Sequence, residues 1–330
     1  MQILFYGATE LEIPMIKKWS QKNDIPVTYL PEEINRQNIQ LAKAYDGICF
    51  YPSKQMQAQA EDFYQQLADN GVKYLSLKST GIDGLNAKLI SQYGFHVTNV
   101  PQYSPTSVGH FALMSILTLL RNIPSYYTSQ PPQLPLRKSL LGRELSEVTV
   151  GILGTGRIGS VVAKGVLELG GKVIACSRSV NPELQSVVPY VSFAQLLRNS
   201  DVISIHVPLT SNTKYLFSDE AFQMAKPGLM LVNTARGGIV NTNALLNALQ
   251  QRIVRGAVLD TVENENAYFD IGWHKNPYCQ ALAKFNNVLL TPHIAYFTNQ
   301  AVQEITETSL NNVRDMIMNA KTPNLVFGKG

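Results

Sequence analysis

The chain has 330 residues, of which 45% are hydrophobic and 16% charged, as in ordinary globular proteins. Its net charge of +4 comes without a block of lysines or arginines, which argues against a nucleic-acid partner. The one long apolar stretch, residues 111–120, is too short to cross a bilayer, so we expect no membrane partner. A chain of this length usually exceeds one hydrophobic core, which predicts two domains.

The three cysteines, Cys49, Cys176 and Cys279, are odd in number and widely spaced. This pattern favours reduced thiols over disulfides or a metal site, and we predict no metal. Residues 1–6 are typical of a first strand and carry no basic leader of a signal peptide. Together these features predict a cytoplasmic protein.

Strand-like and helix-like patterns alternate through the first hundred residues. The predicted strands are 3–6, 27–30, 46–51, 72–77 and 95–100, and the predicted helices are 13–19, 34–44, 55–68 and 85–92. Alternation at this spacing is typical of a parallel sheet with crossover helices.

A long, mostly apolar helix at 106–121 follows, which we expect to be buried at a domain or subunit interface. The segment 124–141 is rich in proline and is predicted to be irregular. A second βα layer comes next, and its last helix is followed by no predicted strand. Its strands are 148–153, 172–176, 202–207, 229–233, 256–259 and 288–290, and the last helix is 301–318.

The sequence Gly154-Thr155-Gly156-Arg157-Ile158-Gly159 lies between a predicted strand and a predicted helix. Its glycines allow the backbone to approach a pyrophosphate, and the helix N-terminus offers N–H groups and a positive dipole. The motif alone is a weak signal, but another strand begins soon after the helix, as a dinucleotide-binding unit requires. The pattern therefore predicts a Rossmann domain that binds NAD(P).

Ligands of an open parallel sheet bind at the carboxyl ends of its strands. Arg236, Glu265 and His293 each come shortly after one of the last three predicted strands. An arginine holds a carboxylate by a planar fork, a histidine transfers protons near neutral pH, and a neighbouring carboxylate raises the pKa of that histidine. Taken singly, these residues have ordinary surface, solvated-loop and structural alternatives. Their combination indicates reduction of a 2-keto acid.

Four motifs, at 154–159, 232–237, 259–265 and 291–296, resemble those of the D-isomer-specific 2-hydroxyacid dehydrogenases. The likeness extends through nearly the whole chain, and within the family it is strongest to the D-lactate dehydrogenases. The grounds for that closer likeness are the segment Glu263-Asn264-Glu265, followed by Tyr268-Phe269-Asp270, and the aromatic pair Tyr296-Phe297.

The resemblance implies a domain layout for the predicted α/β fold, in which each domain is an open parallel sheet with helices on both faces. A flavodoxin-like substrate domain would comprise 1–101 and 299–330, and the Rossmann domain would comprise 102–298. Closure of a cleft between the domains would exclude water around hydride transfer. The family also implies a homodimer, with helix 106–121 as the candidate interface.

The roles of individual residues follow from the same resemblance. Arg236 would bind the carboxylate and carbonyl of the substrate, His293 would be the acid–base group, and Glu265, rather than Glu263, would be the partner of the histidine. The other substrate contacts would be Tyr51, Thr80, Gly81, Tyr103 and Tyr296. The cofactor contacts would be the glycine loop 154–159 together with Ser177, Arg178, Ser179, Val207, Pro208, Thr213, Thr234, Ala235 and Asp260.

Two positions depart from the family pattern. D-lactate dehydrogenases of this type often carry a tryptophan in the linker, which residues 133–141 lack. The NAD-using members have an aspartate at the end of the second Rossmann strand, where this chain has Ser177-Arg178-Ser179. An aspartate repels a 2′-phosphate, whereas serine hydroxyls and a guanidinium bind it. We therefore predict that NADP(H) is preferred over NAD(H); the alternative is that the acid was lost and NAD still binds.

The sequence thus predicts reversible, NAD(P)H-dependent reduction of a small 2-keto acid, pyruvate first, to the D-2-hydroxy acid. One alternative is a reductase of glyoxylate and hydroxypyruvate, or of bulkier keto acids such as phenylpyruvate, because the predicted pocket tyrosines could stack on a ring. Another, of a different class, is a non-catalytic regulator that senses dinucleotides.

Overall fold

The structure is a computed structural model that describes residues 1–52, 61–82, 85–128, 141–268, 271–318 and 322–328. The start of the predicted helix 55–68 and most of the linker that lacks the tryptophan lie outside these residues. The chain divides into two compact units. The first comprises Met1–Ser104 and Phe297–Gly330, and the second comprises Pro105–Tyr296.

Strands and helices alternate in both units. The strands are β1 (Ile3–Phe5), β2 (Val27–Tyr29), β3 (Gly47–Phe50), β4 (Tyr74–Leu77), β5 (His96–Thr98), β6 (Thr149–Leu153), β7 (Lys172–Cys176), β8 (Val202–Ile205), β9 (Leu229–Asn233), β10 (Val254–Leu259), β11 (Val288–Leu290) and β12 (Leu325–Phe327). The helices are α1 (Ile13–Asn23), α2 (Glu61–Asp69), α3 (Ala87–Gln92), α4 (Pro105–Leu120), α5 (Ile123–Thr128), α6 (Arg157–Glu168), α7 (Phe193–Asn199), α8 (Asp219–Met224), α9 (Thr242–Gln250), α10 (Pro277–Leu282) and α11 (Asn299–Ile317).

The sheet of the first unit has the strand order β12-β5-β4-β3-β1-β2. Strands β1 to β5 pair in parallel, and apolar clusters cover both faces of the sheet. Strand β12 pairs antiparallel with β5, with Leu325 opposite Thr98. The prediction of no strand after the final helix was therefore wrong. Three residues are too few to show the alternating pattern of a strand. This strand forms through its pairing with the open edge of β5, which local sequence does not indicate.

The predicted helix 34–44 is also shorter than expected, because only Ile39–Ala44 is helical, as a 3₁₀-helix. The side chain of Asn35 accepts a hydrogen bond from the N–H of Gln37 at 2.8 Å, and the side chain of Asn38 accepts one from the N–H of Asn35 at 2.8 Å. Side-chain bonds of this kind compete with the helical backbone pattern.

The sheet of the second unit is entirely parallel, with the order β11-β10-β9-β8-β6-β7. Two apolar clusters pack on its opposite faces. The chain reverses its direction of winding between β6 and β8, which is where an open α/β sheet binds ligands. The predicted fold class, two parallel-sheet α/β domains, is confirmed.

Helix α4 buries one side and exposes the other. Val108, Ala112 and Ile116 are buried, whereas Met114 and Leu117 are 47% and 36% exposed. Helix α5 follows at once, so the predicted irregular segment begins later than expected. Its proline is the second residue of the helix, where no backbone N–H is needed.

Candidate functional site

His293 lies at the carboxyl end of β11 in a strained turn. Its backbone φ is +55°, in the left-handed region that non-glycine residues seldom adopt. Its N–H donates to the carbonyl oxygen of Asp260 at 2.9 Å, which ties this turn to the end of the neighbouring strand β10. The backbone position of the histidine is therefore set by long-range bonding.

Glu265 holds the ring of His293. Its Oε1 lies 3.1 Å from Nδ1, and the carboxylate is almost fully buried. Burial lowers the pKa of His293, but the hydrogen bond and charge of Glu265, helped by Asp260, outweigh it, so the net pKa is raised. The positive charge of Arg236 acts against this rise. With Nδ1–H donating to the carboxylate, any proton exchange between this ring and a ligand would use Nε2.

The carboxylate of Asp260 holds the turn that carries the histidine. It accepts hydrogen bonds from the hydroxyl of Thr291 at 2.5 Å and from the N–H groups of Ile294 and Ala295 at 2.9 and 2.8 Å. Asp260 has no exposed surface, and its carboxylate supports this turn. Its contact with the cofactor stays a prediction. The sequence does contain a signal for the role of Asp260 in this turn. Asp260 and Thr291 each follow one of two strands that are neighbours in the sheet, so their side chains can meet.

The two nearby glutamates have different partners. Glu263 accepts hydrogen bonds from the Tyr215 hydroxyl at 2.5 Å and from the N–H of Thr242 at 3.2 Å. Asn264 between them has a left-handed φ of +61°, which turns the chain sharply. Glu263 therefore braces the surrounding loops, and Glu265 alone of the two contacts the histidine among the described residues.

Arg236 follows β9 and is partly buried. Its carbonyl accepts a hydrogen bond from the side chain of Asn233 at 3.0 Å, and its Nη1 donates to the carbonyl of Ala235 at 2.8 Å. The arginine thus comes from the same sheet edge as the histidine and acts on the pKa of that ring.

The glycine loop lies at the switch point of the sheet, between β6 and α6. Gly154 has a φ of +92°, and a Cβ there would lie 2.8 Å from the carbonyl oxygen of His206. A Cβ on Gly159 would collide with the carbonyl oxygen of Gly154. Gly156 is the exposed N-cap of α6, and Arg157 and Ile158 form its first turn. This backbone is a cradle of the kind that binds a pyrophosphate.

The loop after β7 packs on the glycine loop through polar contacts. Ser177 Oγ accepts from the N–H of Thr155 at 3.3 Å, and the Tyr190 hydroxyl donates to Thr155 Oγ1 at 3.0 Å. Asn181 donates to the carbonyl of Thr155 at 3.0 Å. The sequence prediction missed Asn181 and Tyr190, whose role depends on a contact across two loops.

Residues 177–182 of the same loop, all of them described, include no aspartate or glutamate. Ser177 and Arg178 are partly buried and Ser179 is exposed. The next acid along the chain, Glu183, pairs with Lys164 of α6 at 2.5 Å, which lowers the pKa of the carboxyl.

The remaining predicted cofactor residues follow β8 and β9. Thr213 Oγ1 donates to the carbonyl of Pro208 at 2.6 Å, and Val207 beside it is partly buried. The N–H of Ala235 donates to Asn233 Oδ1 at 3.0 Å. Thr234 has a buried hydroxyl oxygen that finds no hydrogen-bond partner among the described residues.

His206 lies just after β8, beyond the end of the strand as observed. Its Nε2 is 2.8 Å from the hydroxyl oxygen of Ser204, and burial lowers the pKa of the ring to about 3. The ring is therefore neutral at physiological pH and is a poor candidate for the acid–base group.

The predicted substrate contacts divide between the two units. Tyr296 belongs to the second unit, and its ring lies edge-on to that of His293 with centroids 6.3 Å apart. Tyr51, Thr80, Gly81 and Tyr103 belong to the first unit.

The turn at residues 79–81 has a defined hydrogen-bond pattern. The carbonyls of Ser79, Thr80 and Gly81 accept hydrogen bonds from the N–H of Val100, the side chain of Asn99 and the hydroxyl of Ser79, respectively. No described residue takes up the N–H groups of Thr80 and Gly81. These two donors suit the predicted contact with a carboxylate.

Two further searches cover only the described residues. They contain no group of three or more histidines, cysteines, aspartates and glutamates placed to hold a metal ion. Within the same ranges, no helix combines the length and apolarity needed to cross a membrane.

Comparison with known proteins identifies the family. A model of the D-isomer specific 2-hydroxyacid dehydrogenase NAD-binding domain matches residues 113–295. The chain is 34% identical to a D-2-hydroxyacid dehydrogenase (NAD(+)) of Clostridioides difficile, over 99% of this chain and 100% of the relative. It is also 34% identical to a D-lactate/D-glycerate dehydrogenase of Pediococcus acidilactici, over 99% of each.

Solved structures agree with this assignment. A D-lactate dehydrogenase from Treponema pallidum has a TM-score of 0.87 at 31% identity, over 99% of this chain and 100% of that one. A D-2-hydroxyisocaproate dehydrogenase has a TM-score of 0.87 at 32% identity, over the same shares. With a full-length match in sequence, a match in fold and a histidine–glutamate pair beside an arginine, the chain belongs to the D-isomer-specific 2-hydroxyacid dehydrogenases.

Proposed function

We propose that the protein reversibly reduces a small 2-keto acid, with pyruvate as the first candidate, to the D-2-hydroxy acid. The observation that carries this proposal is the 3.1 Å contact between Glu265 and His293, at the sheet edge that also bears Arg236. This edge holds an anion-binding group and a proton donor together, as reduction of a keto acid requires.

The residues divide the chemistry between them. A bound nicotinamide dinucleotide supplies the hydride for reduction. The guanidinium of Arg236 pairs with the substrate carboxylate and polarises the adjacent carbonyl. Nε2 of protonated His293 donates the proton to the substrate oxygen, and in the reverse direction neutral Nε2 accepts the hydroxyl proton. Glu265 keeps the ring protonated before transfer and fixes its tautomer.

The described residues fit such a cofactor. Residues 154–159 form a backbone cradle that depends on Gly159, because a Cβ there would collide with the carbonyl oxygen of Gly154. The N-terminus of α6 would face the pyrophosphate. The unpartnered hydroxyl of Thr234 would bond to the nicotinamide end, beside Ala235. Val207, Pro208 and Thr213 would line the loop after β8.

We further propose that NADP(H) is preferred over NAD(H), although relatives are named for NAD(+). Three features support the proposal. Ser177 directly follows β7, where an NAD site has an acid, and Arg178 and Ser179 come next. Glu183, the next acid along the chain, pairs with Lys164. A guanidinium with two hydroxyls suits a 2′-phosphate.

The cofactor proposal is tested by comparing kcat/KM with NADPH and with NADH. Arg178→Ala should weaken NADPH far more than NADH, because only NADPH carries the 2′-phosphate. Arg198→Ala, an exposed arginine at the end of α7, is the matched control. A clear preference of the native enzyme for NADH would overturn the proposal.

A second candidate is a reductase of bulkier or more polar keto acids. The structural likeness to a D-2-hydroxyisocaproate dehydrogenase and the sequence likeness to a D-lactate/D-glycerate dehydrogenase favour considering it. A grid of pyruvate, glyoxylate, hydroxypyruvate and phenylpyruvate against NADPH and NADH separates these substrates. Absence of turnover in every cell of the grid would favour a dinucleotide-sensing regulator instead.

We also propose a homodimer built on α4. Met114 and Leu117 on α4, Ile123 and Tyr126 on α5, and Leu141 are all exposed, Leu141 to 74%. Light scattering should give twice the chain mass, and Leu117→Glu should shift the measured mass towards that of the monomer.

A cytoplasmic location is proposed because Cys49, Cys176 and Cys279 are all free thiols.

A further inference from the structure

A lysine is buried at the carboxyl end of the sheet in the first unit. Lys78 follows β4 directly and has no exposed surface. Its Nζ donates to the carbonyl of Gly7 at 2.8 Å and of Tyr6 at 3.3 Å, and it pairs with Oε1 of Glu12 at 3.0 Å. An ammonium has three donors, and these three groups use all of them.

Two aromatic rings also contact this ammonium. Lys78 Nζ lies 4.2 Å from the ring centroid of Phe5 and 4.7 Å from that of Tyr51. Both distances are within the range of cation–π attraction, which is stronger when the cation is shielded from water. Phe5 is fully buried, whereas Tyr51 is only partly buried.

The position of Lys78 in the sheet gives this contact its significance. The side chain reaches from β4 past β3 to the two carbonyls that follow β1. The switch point of this sheet lies between β1 and β3, where open α/β sheets bind ligands. Tyr51 is the residue that follows β3, so its ring lies at that point with the ammonium against it.

The β1–α1 loop is held by the same group of residues. Glu12 accepts hydrogen bonds from the N–H and the hydroxyl of Thr9, each at 2.9 Å, besides its pairing with Lys78. The position of the Lys78 ammonium is therefore fixed by Glu12 and by the two carbonyls, independently of Tyr51.

We propose that Lys78 is a positioning residue that holds the ring of Tyr51 and thereby favours small side chains on the 2-keto acid. The substrate part rests on the proposed function, whereas the ring position rests on the first unit alone. Without the ammonium, the attraction to the tyrosine face is lost, which weakens the hold on the ring. We expect the ring then to shift about χ1 and to open room for a larger side chain.

The test removes the charge of Lys78 together with that of Glu12. Lys78→Met alone would leave Glu12 as an unpaired buried charge, which disrupts folding. The double variant Glu12→Gln, Lys78→Met keeps the size of both side chains and removes both charges. Lys214→Met is the matched control, because Lys214 contacts Tyr215 at 5.1 Å on an exposed surface.

The first readout is the position of the Tyr51 ring in crystal structures of the native chain and the double variant. We expect a changed χ1 rotamer. A ring that stays in place overturns the proposal whether or not any keto acid is turned over, so a failure of the proposed function is a separate result.

The second readout is the ratio of kcat/KM for phenylpyruvate to that for pyruvate. We expect a rise of roughly tenfold in the double variant, the size typical of one altered apolar contact in a pocket. It should come mainly from a higher KM for pyruvate, with an unchanged pH profile, and should vanish in a Tyr51→Leu background. A displaced ring with an unchanged ratio would overturn the specificity role.

Discussion

Glu265 Oε1 faces Nδ1 of His293 at 3.1 Å, so the proton transfer proposed for this ring would use Nε2. The carboxylate is nearly buried, and its backbone is set by the sharp turn at Asn264. Asp260 fixes the backbone after His293, because its carboxylate accepts hydrogen bonds from the N–H groups of Ile294 and Ala295. The proposed acid–base group is thus oriented by two carboxylates, one that contacts the ring and one that binds the turn.

The pH dependence of keto-acid reduction should report this pair. Reduction needs protonated His293, whose pKa is raised above its usual value by Glu265 against the effect of burial. The rate should hold up to that raised pKa and fall above it. In Glu265→Gln the lowering effect of burial is less opposed, so the falling limb should move to lower pH. The measurement is kcat/KM against pH, with Glu263→Gln as the control. A falling limb at the native pH in Glu265→Gln would contradict the pairing of Glu265 with His293.

Arg236→Lys should lose most activity. A lysine keeps the charge but cannot form the planar, bidentate contact with a carboxylate. We expect kcat/KM to fall by an amount that corresponds to a loss of about 2–4 kcal/mol of transition-state stabilisation. This is the usual cost of breaking a charged, hydrogen-bonded contact. Steady-state kinetics with pyruvate measures it, and near-native turnover would remove the arginine from its assigned role.

His293→Gln should separate binding from chemistry. A general acid contributes about 10²–10⁴-fold to rate, and glutamine cannot supply a proton. Cofactor affinity, measured by fluorescence titration with NADPH and NADH, should remain close to native. His206→Gln is the informative comparison, because a ring with a pKa near 3 is already neutral. Equal losses in the two variants would argue against His293 as the proton donor.

Ser177→Asp should reverse the cofactor preference. The new carboxylate would repel a 2′-phosphate and accept hydrogen bonds from ribose hydroxyls. We expect the NADPH to NADH ratio of kcat/KM to fall by at least about tenfold, the effect of roughly 1.4 kcal/mol. Ser179→Asp is the positional control on the same loop. An unaltered ratio in Ser177→Asp would show that this strand end does not select the cofactor.

Asp260→Asn should weaken the turn that carries the histidine. The amide group would set an N–H donor against the N–H groups of Ile294 and Ala295, leaving buried donors unsatisfied at about 1–3 kcal/mol. The urea midpoint should fall, and the pKa of His293 should also fall because Asp260 helps to raise it. NMR titration of the ring checks the second effect, and a native midpoint would show that the bonds contribute little.

Local sequence predicted most of the architecture and the main candidate residues. Apolar runs and their spacing indicated the parallel sheets, and the glycine loop indicated the nucleotide site, because strand and turn patterns repeat over short distances. Arg236 and His293 stood out because they follow parallel strands, whose ends meet at one edge. Strand β12 escaped prediction because its three residues carry almost no periodic signal.

Long-range contacts decided how those residues are used. The left-handed turns at Asn264 and His293 separate the tasks of the two glutamates, and nothing in the neighbouring residues signals them. Asp260 and Lys78 acquire their partners only when distant strands become neighbours. The direction of a side chain at a strand end depends on backbone angles that tertiary hydrogen bonds impose. The sequence therefore determined which chemical groups follow the strands, and the tertiary structure decided which of these groups contact one another.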